Sequence, residues 1–396
     1  MCELKLSRRI LVVGGGIGGL SASLSLAQLG FAVTVFEQSN ELGEAGAGIQ
    51  LSPNCARVLH HVGLADALNK VAFLPEATQF RQWRTGRVIS ESPLGEDVVN
   101  TYGAPYYHIH RGDLITVLGT AARAHPNITI LTNARVDGFR QDGDGVLVRV
   151  GEQEHEGDVL IGADGIRSFV RAQLWGEQTP RFTGNIAWRA LVPSAQLPDY
   201  FVRPTSTAWW GPNKHFVHYY VRGGELVNCV CVIEKVGWEL ESWTELGDLQ
   251  ELKADFSGWH TSIQELINNM APETLFKWAL FDREPMPGWG CGRVSLLGDA
   301  CHPTLPFMAQ GAAMSIEDGA VLAMCLDKID CVSQALMKYE ALRMARTTSI
   351  QTGSRRNAKL FHLSGLQAWA RNRAVRAAGN RTMDRLFRYN AYEALE

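Results

Sequence analysis

The chain has 396 residues, 46% hydrophobic and 20% charged, an ordinary balance for a globular protein of two or three domains, or of one large domain with an inserted lobe. A formal net charge of -3 lacks the basic excess expected of a nucleic-acid binder. Eight cysteines, with no C-x-x-C pair and no finger-like Cys/His spacing, argue against a disulfide framework or a zinc module.

Lys5, Arg8 and Arg9 stand before an apolar run, the polarity of an export signal. Gly14, Gly15, Gly16, Gly18 and Gly19 interrupt that run, and no window supplies the ~20 apolar residues of a membrane span. The expectation is a cytoplasmic protein with no integral membrane segment. RRILVVGGGIGGLSASLSLAQLGFAVTVFEQ then predicts strand, glycine turn, helix and strand. Gly14, Gly16 and Gly19 fill the G-x-G-x-x-G positions: a tight turn, a close backbone approach to a pyrophosphate, and helix against strand. The helix, from about residue 17 to 29, aims its N-terminal amides at phosphates, and Gly30 ends it. Glu37, at the end of the second strand, can accept hydrogen bonds from both ribose hydroxyls, with Gln38 beside it in the candidate cofactor set. The fingerprint predicts dinucleotide binding and leaves FAD and NAD both open.

Further along, ELGEAGAGIQLSPN carries glycines at 43, 46 and 48, and Asn54 leads into a helix. DVLIGADGIRSFVR is an apolar strand ending at Asp164 and Gly165 before a basic helix. Between about residues 181 and 282 tryptophans accumulate (Trp188, Trp209, Trp210, Trp238, Trp243, Trp259, Trp278) and short β-like runs dominate. In HFVHYY, period two puts His215, Val217 and Tyr219 on one strand face and Phe216, His218 and Tyr220 on the other. The first face offers an imidazole and a phenol across a small apolar gap, suited to a planar phenol. The same alternation argues against His215 and His218 sharing a zinc ion. Cys229 and Cys231 share a strand face as small core residues.

RVSLLGDACHP is another apolar strand, ending at Gly298 and Asp299. Pro303 and Pro306 force an irregular bend after it, and Gly311 opens a helix whose first amides lack intrahelical partners. Cys301 and His302 are read as packing and turn residues, with no metal site. The C-terminal stretch is locally basic (Arg371, Arg373, Arg376, Arg381, Arg385, Arg388), as a solvated helical face or as a contact for a partner or anionic surface.

In this order, the G-x-G-x-x-G, Asp164-Gly165 and Gly298-Asp299 motifs resemble those of the class A flavoprotein aromatic hydroxylases, over nearly the whole chain. The resemblance implies an α/β fold: a Rossmann-like FAD-binding domain of the glutathione-reductase type, an inserted β-rich substrate domain and C-terminal helices. It implies FAD, with NADH or NADPH as reductant and O2 as co-substrate, reacting through a flavin C4a-hydroperoxide. Glu37 would hold the adenosine ribose, Arg111 the ribityl and phosphate region, and Asp299 the ribityl chain. Asp164 would serve both FAD and pyridine nucleotide. Gly48, Ile49, Gln310, Gly311 and Ala312 complete the expected cofactor set, the last three at a helix N-terminus that favours the negative charge of reduced flavin. His215 would act as base and Tyr219 would hold the ring oxygen or a carboxylate, because deprotonating a phenol makes its ortho and para carbons more nucleophilic.

Within this group the chain is similar to 3-hydroxybenzoate 6-hydroxylases, salicylate hydroxylases and 6-hydroxynicotinate 3-monooxygenases. It departs from some of them at Pro306, where a glutamine occurs, and at Gln50 and Phe307, where histidines occur. These three residues are the expected pocket wall, with Met308 extending its apolar part. The expected substrate is a small hydroxylated aromatic acid, and decarboxylative hydroxylation stays open. Residues 1–75, 100–180 and 285–345 are expected to form the FAD domain, 76–99 and 181–284 the substrate domain, and 346–396 a helical segment; a homodimer is admitted. The rival readings are an NAD-linked dehydrogenase, a non-catalytic flavin sensor and a peripheral-membrane hydroxylase of quinone precursors.

Overall fold

The computed structural model describes residues 8–43, 47–235, 246–379 and 381–395. Gly46, Trp238 and Trp243, singled out above, and Lys5 lie outside the described residues. The N-terminal motif folds as strand Arg9–Val13, helix Ile17–Gln28 and strand Ala32–Phe36. Val12 and Val35 are fully buried, as parallel strands covered on both faces require. Strand Arg9–Val13 lies between Ala32–Phe36 and Val159–Gly162, both parallel to it. Ile128–Leu131 flanks one side and Val294–Leu296 the other, and Gly290–Cys291 closes that edge antiparallel. The two apolar strands that end in the Asp164 and Asp299 motifs are therefore neighbours, 135 residues apart in sequence but side by side in the sheet.

A second sheet of seven strands runs in the order Phe276–Asp282, Arg181–Pro193, Leu226–Glu234, Lys214–Val221, Thr205–Gly211, Ala77–Gln82, Val88–Pro93. Its two faces part by strict alternation. Phe216, Cys229, Cys231, Trp188 and Trp209 share one core with Leu252, Phe256 and Ile263, from the segment of short helices after the described strands. Ala187, Val230, Val232, Trp278 and Val217 share the other with Leu305, Phe307 and Phe361. The second face is turned toward the Pro306 bend and the C-terminal helices. A two-stranded ladder, Gly48–Leu51 with Tyr107–His110, packs on the seven-stranded sheet and on helices Arg111–Ala124 and Gly311–Lys328.

Among the C-terminal residues, Val332–Phe361 is one continuous helix of 30 residues. The expected division between 345 and 346 is therefore corrected: no glycine or proline breaks the helix there, and Arg343, Thr347 and Ile350 are buried on both sides of that point. Nor is the basic tail uniformly solvated. Arg371 is buried, donates to the carbonyls of Leu360 and Phe361, and stacks over Trp210 at 4.8 Å. Arg376 donates to Ile89, so helix Gly365–Ala378 is tied back to the substrate sheet. Among the described residues no helix is long and apolar enough to cross a membrane.

Candidate active site

The glycine turn is set by contacts that no side chain would permit. A Cβ on Gly19 would lie 1.9 Å from the Gly14 carbonyl oxygen, and one on Gly14, whose φ is +108°, would lie 2.4 Å from the Ala163 oxygen. The first glycine thus packs on the Asp164 motif, and the third locks the helix onto the first. Around Gly16, by contrast, the space a Cβ would enter is empty, and the helix N-terminus carries no side-chain cap. Glu37 accepts from the Gly15 amide at 2.8 Å through one oxygen and from the Ser39 amide at 2.8 Å through the other. Its carboxylate is fixed at the lip of the turn with lone pairs to spare, while Gln38 faces solvent.

The other two motifs converge on the same end of the parallel sheet. Asp164 accepts from the Val170 amide at 3.1 Å through Oδ2, while its Oδ1 is buried with no hydrogen-bond partner. Burial raises its carboxyl above the usual range against the pull of Ser168 and that amide. Arg171, buried behind it, donates to the carbonyls of Ile166 and Ala300 and so couples the Asp164 turn to the Asp299 turn. Asp299 opens to solvent between buried neighbours, and the protein enclosing its other sides pushes its carboxyl upward against the opposing pull of His302 and Arg111. Empty space at Gly16, an orphaned acceptor oxygen at Asp164 and the accessible Asp299 carboxylate, on whose charge Arg111 acts, make a cradle that fits FAD.

Helix Gly311–Lys328 begins beside Asp299, also without a side-chain cap. Its first turn is held from behind. Gln310 donates to Ser52 at 2.9 Å and accepts from Asn54 at 3.1 Å, and Asn54 donates to Glu317 at 2.6 Å. Glu317 pairs with Arg343 and Arg346, each at 2.7 Å, and Asp318 pairs with Arg343 at 2.7 Å and His302 at 2.6 Å. Burial alone would raise both carboxyls, but these cations hold them below their usual values. His302 is thus a buried structural partner of Asp318, and Cys301 is buried beside it. Among the described residues no cluster of His, Cys, Asp and Glu could hold a metal ion.

The ladder strand Gly48–Leu51 joins this cradle to the seven-stranded sheet. The Gly48 amide donates to Asn228 at 2.7 Å, and a Cβ on Gly48 would lie 2.7 Å from the Tyr219 ring, so only glycine admits that approach. Gln50 donates to Ser206 at 2.9 Å and accepts from Tyr106 at 2.6 Å, and its amide draws on the Tyr219 phenol. Burial raises the phenols of Tyr219 and Tyr106, so both stay protonated donors at neutral pH. His108 packs 4.5 Å from the Tyr219 ring, and burial lowers its pKa to about 3. Arg189, on the same sheet face, lies 4.6 Å over the Trp278 ring and pulls on the Tyr219 phenol.

His215 shares that face, two pleats along the strand, about 13 Å from Tyr219 at ~3.3 Å per residue. Its ring packs 5.1 Å from Phe307 and 5.5 Å from Phe361. Its Nδ1 meets His362 Nε2 at 2.9 Å. Burial, and then His362, lower its pKa well below 6.5. Among these side chains the imidazole is held neutral. His218 faces the opposite core, accepting from the Trp209 indole at 3.0 Å. Phe307 is buried in the apolar wall, Pro306 is exposed, and Met308 packs toward Gly353 of the long helix.

Sequence reasoning missed Tyr106, His108, Arg189, Asn228, Glu234 and His362. Alternation on the two neighbouring strands marks Arg189, Asn228 and Glu234 as same-face residues once the register is known. His362 comes from a helix end 147 residues from His215, and no local pattern points to it.

A glycine-turn parallel sheet on which three motifs converge, beside a second sheet whose inner face carries His215 and Tyr219 among apolar and aromatic side chains, defines a flavoprotein. The family model described as an FAD binding domain matches residues 8–353. The chain is 40% identical over 373 residues to a 3-amino-4-hydroxybenzoate 2-monooxygenase of Streptomyces platensis, covering 93% of each. It is 38% identical to a 3-hydroxybenzoate 6-hydroxylase of Polaromonas naphthalenivorans, covering 92% of this chain and 90% of that one. The structure of Klebsiella pneumoniae HpxO complexed with FAD and uric acid superimposes with a TM-score of 0.83 at 25% identity, over 98% of this chain and 97% of that one. The chain belongs to the class A FAD-dependent aromatic hydroxylases and is an FAD-binding monooxygenase.

Proposed function

We propose that the enzyme hydroxylates a small aromatic acid that already carries a ring hydroxyl, a hydroxybenzoate, with NADH or NADPH as reductant and O2 as oxygen donor. One oxygen atom enters the ring, the other leaves as water, and the nicotinamide supplies the two electrons. Bound FAD supplies the reduction of O2 and the delivery of its oxygen; the side chains of this chain bind, orient and dry the ring. The observation that carries the reading is the polarised sheet face: hydroxyl and amide donors of Tyr219 and Gln50 beside Gly48 at one end, neutral His215 at the other, and Val217, Val230 and Phe307 between. On that face Arg189 offers a cation to the carboxylate and His215 an acceptor to the phenol proton. The two hydroxybenzoate-acting relatives support the substrate class. We place the reaction in the cytoplasm, where reduced nicotinamide is supplied.

Product identification tests this reading. A panel of 3-hydroxybenzoate, salicylate, 4-hydroxybenzoate, 3-amino-4-hydroxybenzoate and 6-hydroxynicotinate is incubated with FAD-loaded protein and each nicotinamide. We expect at least one phenolic benzoate to stimulate NAD(P)H oxidation and O2 uptake and to yield a product with one more oxygen. Nicotinamide oxidation that no member stimulates, with no oxygenated product, would discard the assignment.

A further inference from the structure

We propose that His362 and Glu234 form a proton relay that carries the ring-hydroxyl proton from buried His215 to solvent. The relay deepens the functional reading above and rests on it. Its geometry is a continuous line of hydrogen bonds. His215 Nδ1 lies 2.9 Å from His362 Nε2, and His362 Nδ1 lies 2.7 Å from Glu234 Oε1. Exposure rises only at the last member: His215 is 3% exposed, and the side chains of His362 and Glu234 are 2% and 46% exposed. Alternation accounts for the placement of Glu234, since Asn228, Val230, Val232 and Glu234 share the pocket face and Glu234 ends its strand. His362 is fixed by its own backbone, whose carbonyl accepts from the Asn213 amide at 3.1 Å.

The network also settles the tautomers. A carboxylate only accepts, so His362 carries its hydrogen on Nδ1 and its Nε2 must accept. His215 therefore donates from Nδ1 and keeps a lone pair on Nε2, which has no hydrogen-bond partner among the described residues. Transfer then balances in three moves. The substrate O–H gives its proton to His215 Nε2, the His215 Nδ1 proton passes to His362 Nε2, and the His362 Nδ1 proton passes to Glu234 and on to water. No electrons move, and one proton crosses from pocket to solvent. Protonating the product along the reverse path restores the starting tautomers.

The surroundings favour passage over storage. Phe307 and Phe361 pack on His215, and Phe307 also packs on His362. Arg371 of the following helix opposes a cation at His362, while Glu234 favours one; burial outweighs Glu234 and holds both imidazoles below their ordinary value. A proton that reaches His215 is therefore not stored on either imidazole.

The test uses full-length, FAD-loaded protein in weak buffer, mixed in a stopped-flow instrument with the hydroxybenzoate it turns over, while a pH-indicator dye reports proton release. Glu234→Gln lies at the surface and Glu234→Ala removes the last acceptor; His362→Gln breaks the centre. We expect wild-type FAD content and substrate affinity in the Glu234 variants, with proton release and hydroxylation slowed about tenfold or more. Added formate should restore Glu234→Ala, and imidazole should restore His362→Ala, each in a concentration-dependent way that a purely structural role would not show. Unchanged proton-release rates in both Glu234 variants, beside normal wild-type hydroxylation, would overturn the relay alone, even if the His362 variants fail to fold. A wild-type enzyme that hydroxylates no phenolic acid would remove the functional reading and the relay with it.

Discussion

The cofactor cradle and the substrate pocket are built from different materials. The cradle is backbone: Gly14 against Ala163, Gly19 against Gly14, and two uncapped helix N-termini, with Glu37, Asp164 and Asp299 at its rim. The pocket is side chain: an alternating sheet face whose polar groups come from four strands and the end of a helix. Backbone sites depend on spacing and tolerate almost no added atom, whereas side-chain sites depend on registry between distant segments and can lose one group at a time. The two regions should therefore fail in different ways when changed.

The largest effect is expected at Gly19. A methyl group placed 1.9 Å from a backbone oxygen cannot be relieved by a rotamer, so Gly19→Ala must pry the helix from the turn. Gly19→Ala should purify without flavin or fail to accumulate as folded protein, checked by the flavin-to-protein absorbance ratio and circular dichroism. A folded variant with a full complement of flavin would contradict the backbone account of the cradle.

The next effect belongs to the charge network behind the cradle. Arg343→Met leaves Glu317 and Asp318 buried with fewer partners, a loss of about 3–5 kcal/mol for breaking a buried pair. The pH dependence carries a sign. In the native protein both carboxyls are held below their ordinary 4.5 and 3.8, so their contribution is complete above those values and is lost as pH falls through the lowered folded ones. Without Arg343 both carboxyls keep fewer of the partners that lower them, so the variant loses less stability than the native protein as they protonate. The difference in melting temperature between the two proteins should be largest near neutral pH and shrink towards about pH 4. A difference that is constant across that range would mean that Arg343 acts through packing and not through charge.

The same division explains how far the sequence could be followed. The strands of the parallel sheet were legible because Gly14, Gly16, Gly19 and Glu37 form a pattern within 24 residues, local enough to specify strand, turn and helix. Helix Ile17–Gln28 ends one residue before the expected point, and the Asp164 and Asp299 strands lie where their apolar runs end in turns. His215 and Tyr219 could be placed on one face because alternation is a local property. Their partners could not be found that way. Gln50 acts on Tyr219 from a strand of the two-stranded ladder, and His362 reaches His215 from a helix end 147 residues further along the chain. The neutral state of His215 is likewise set by burial among Phe307, Phe361 and His362, which its own strand does not specify.

The smallest expected effect, and the sharpest separation of the two sheet faces, comes from a pair of histidines three residues apart. His218 has the chemistry of His215 but points into the opposite core, where its Nε2 accepts the Trp209 indole and burial lowers its pKa to about 3. His218→Gln exchanges that acceptor for an amide and should cost about 0.5–1.5 kcal/mol of stability, the worth of one hydrogen bond. It removes nothing from the pocket, so hydroxylation and flavin content should stay at wild-type levels. His215→Ala should do the reverse, keeping flavin while lowering the hydroxylation rate by about a hundredfold or more. Melting curves and single-turnover hydroxylation on the two variants decide the matter. If both lose hydroxylation alike, the faces are coupled through the strand, and the assignment of chemistry to one side of the sheet fails.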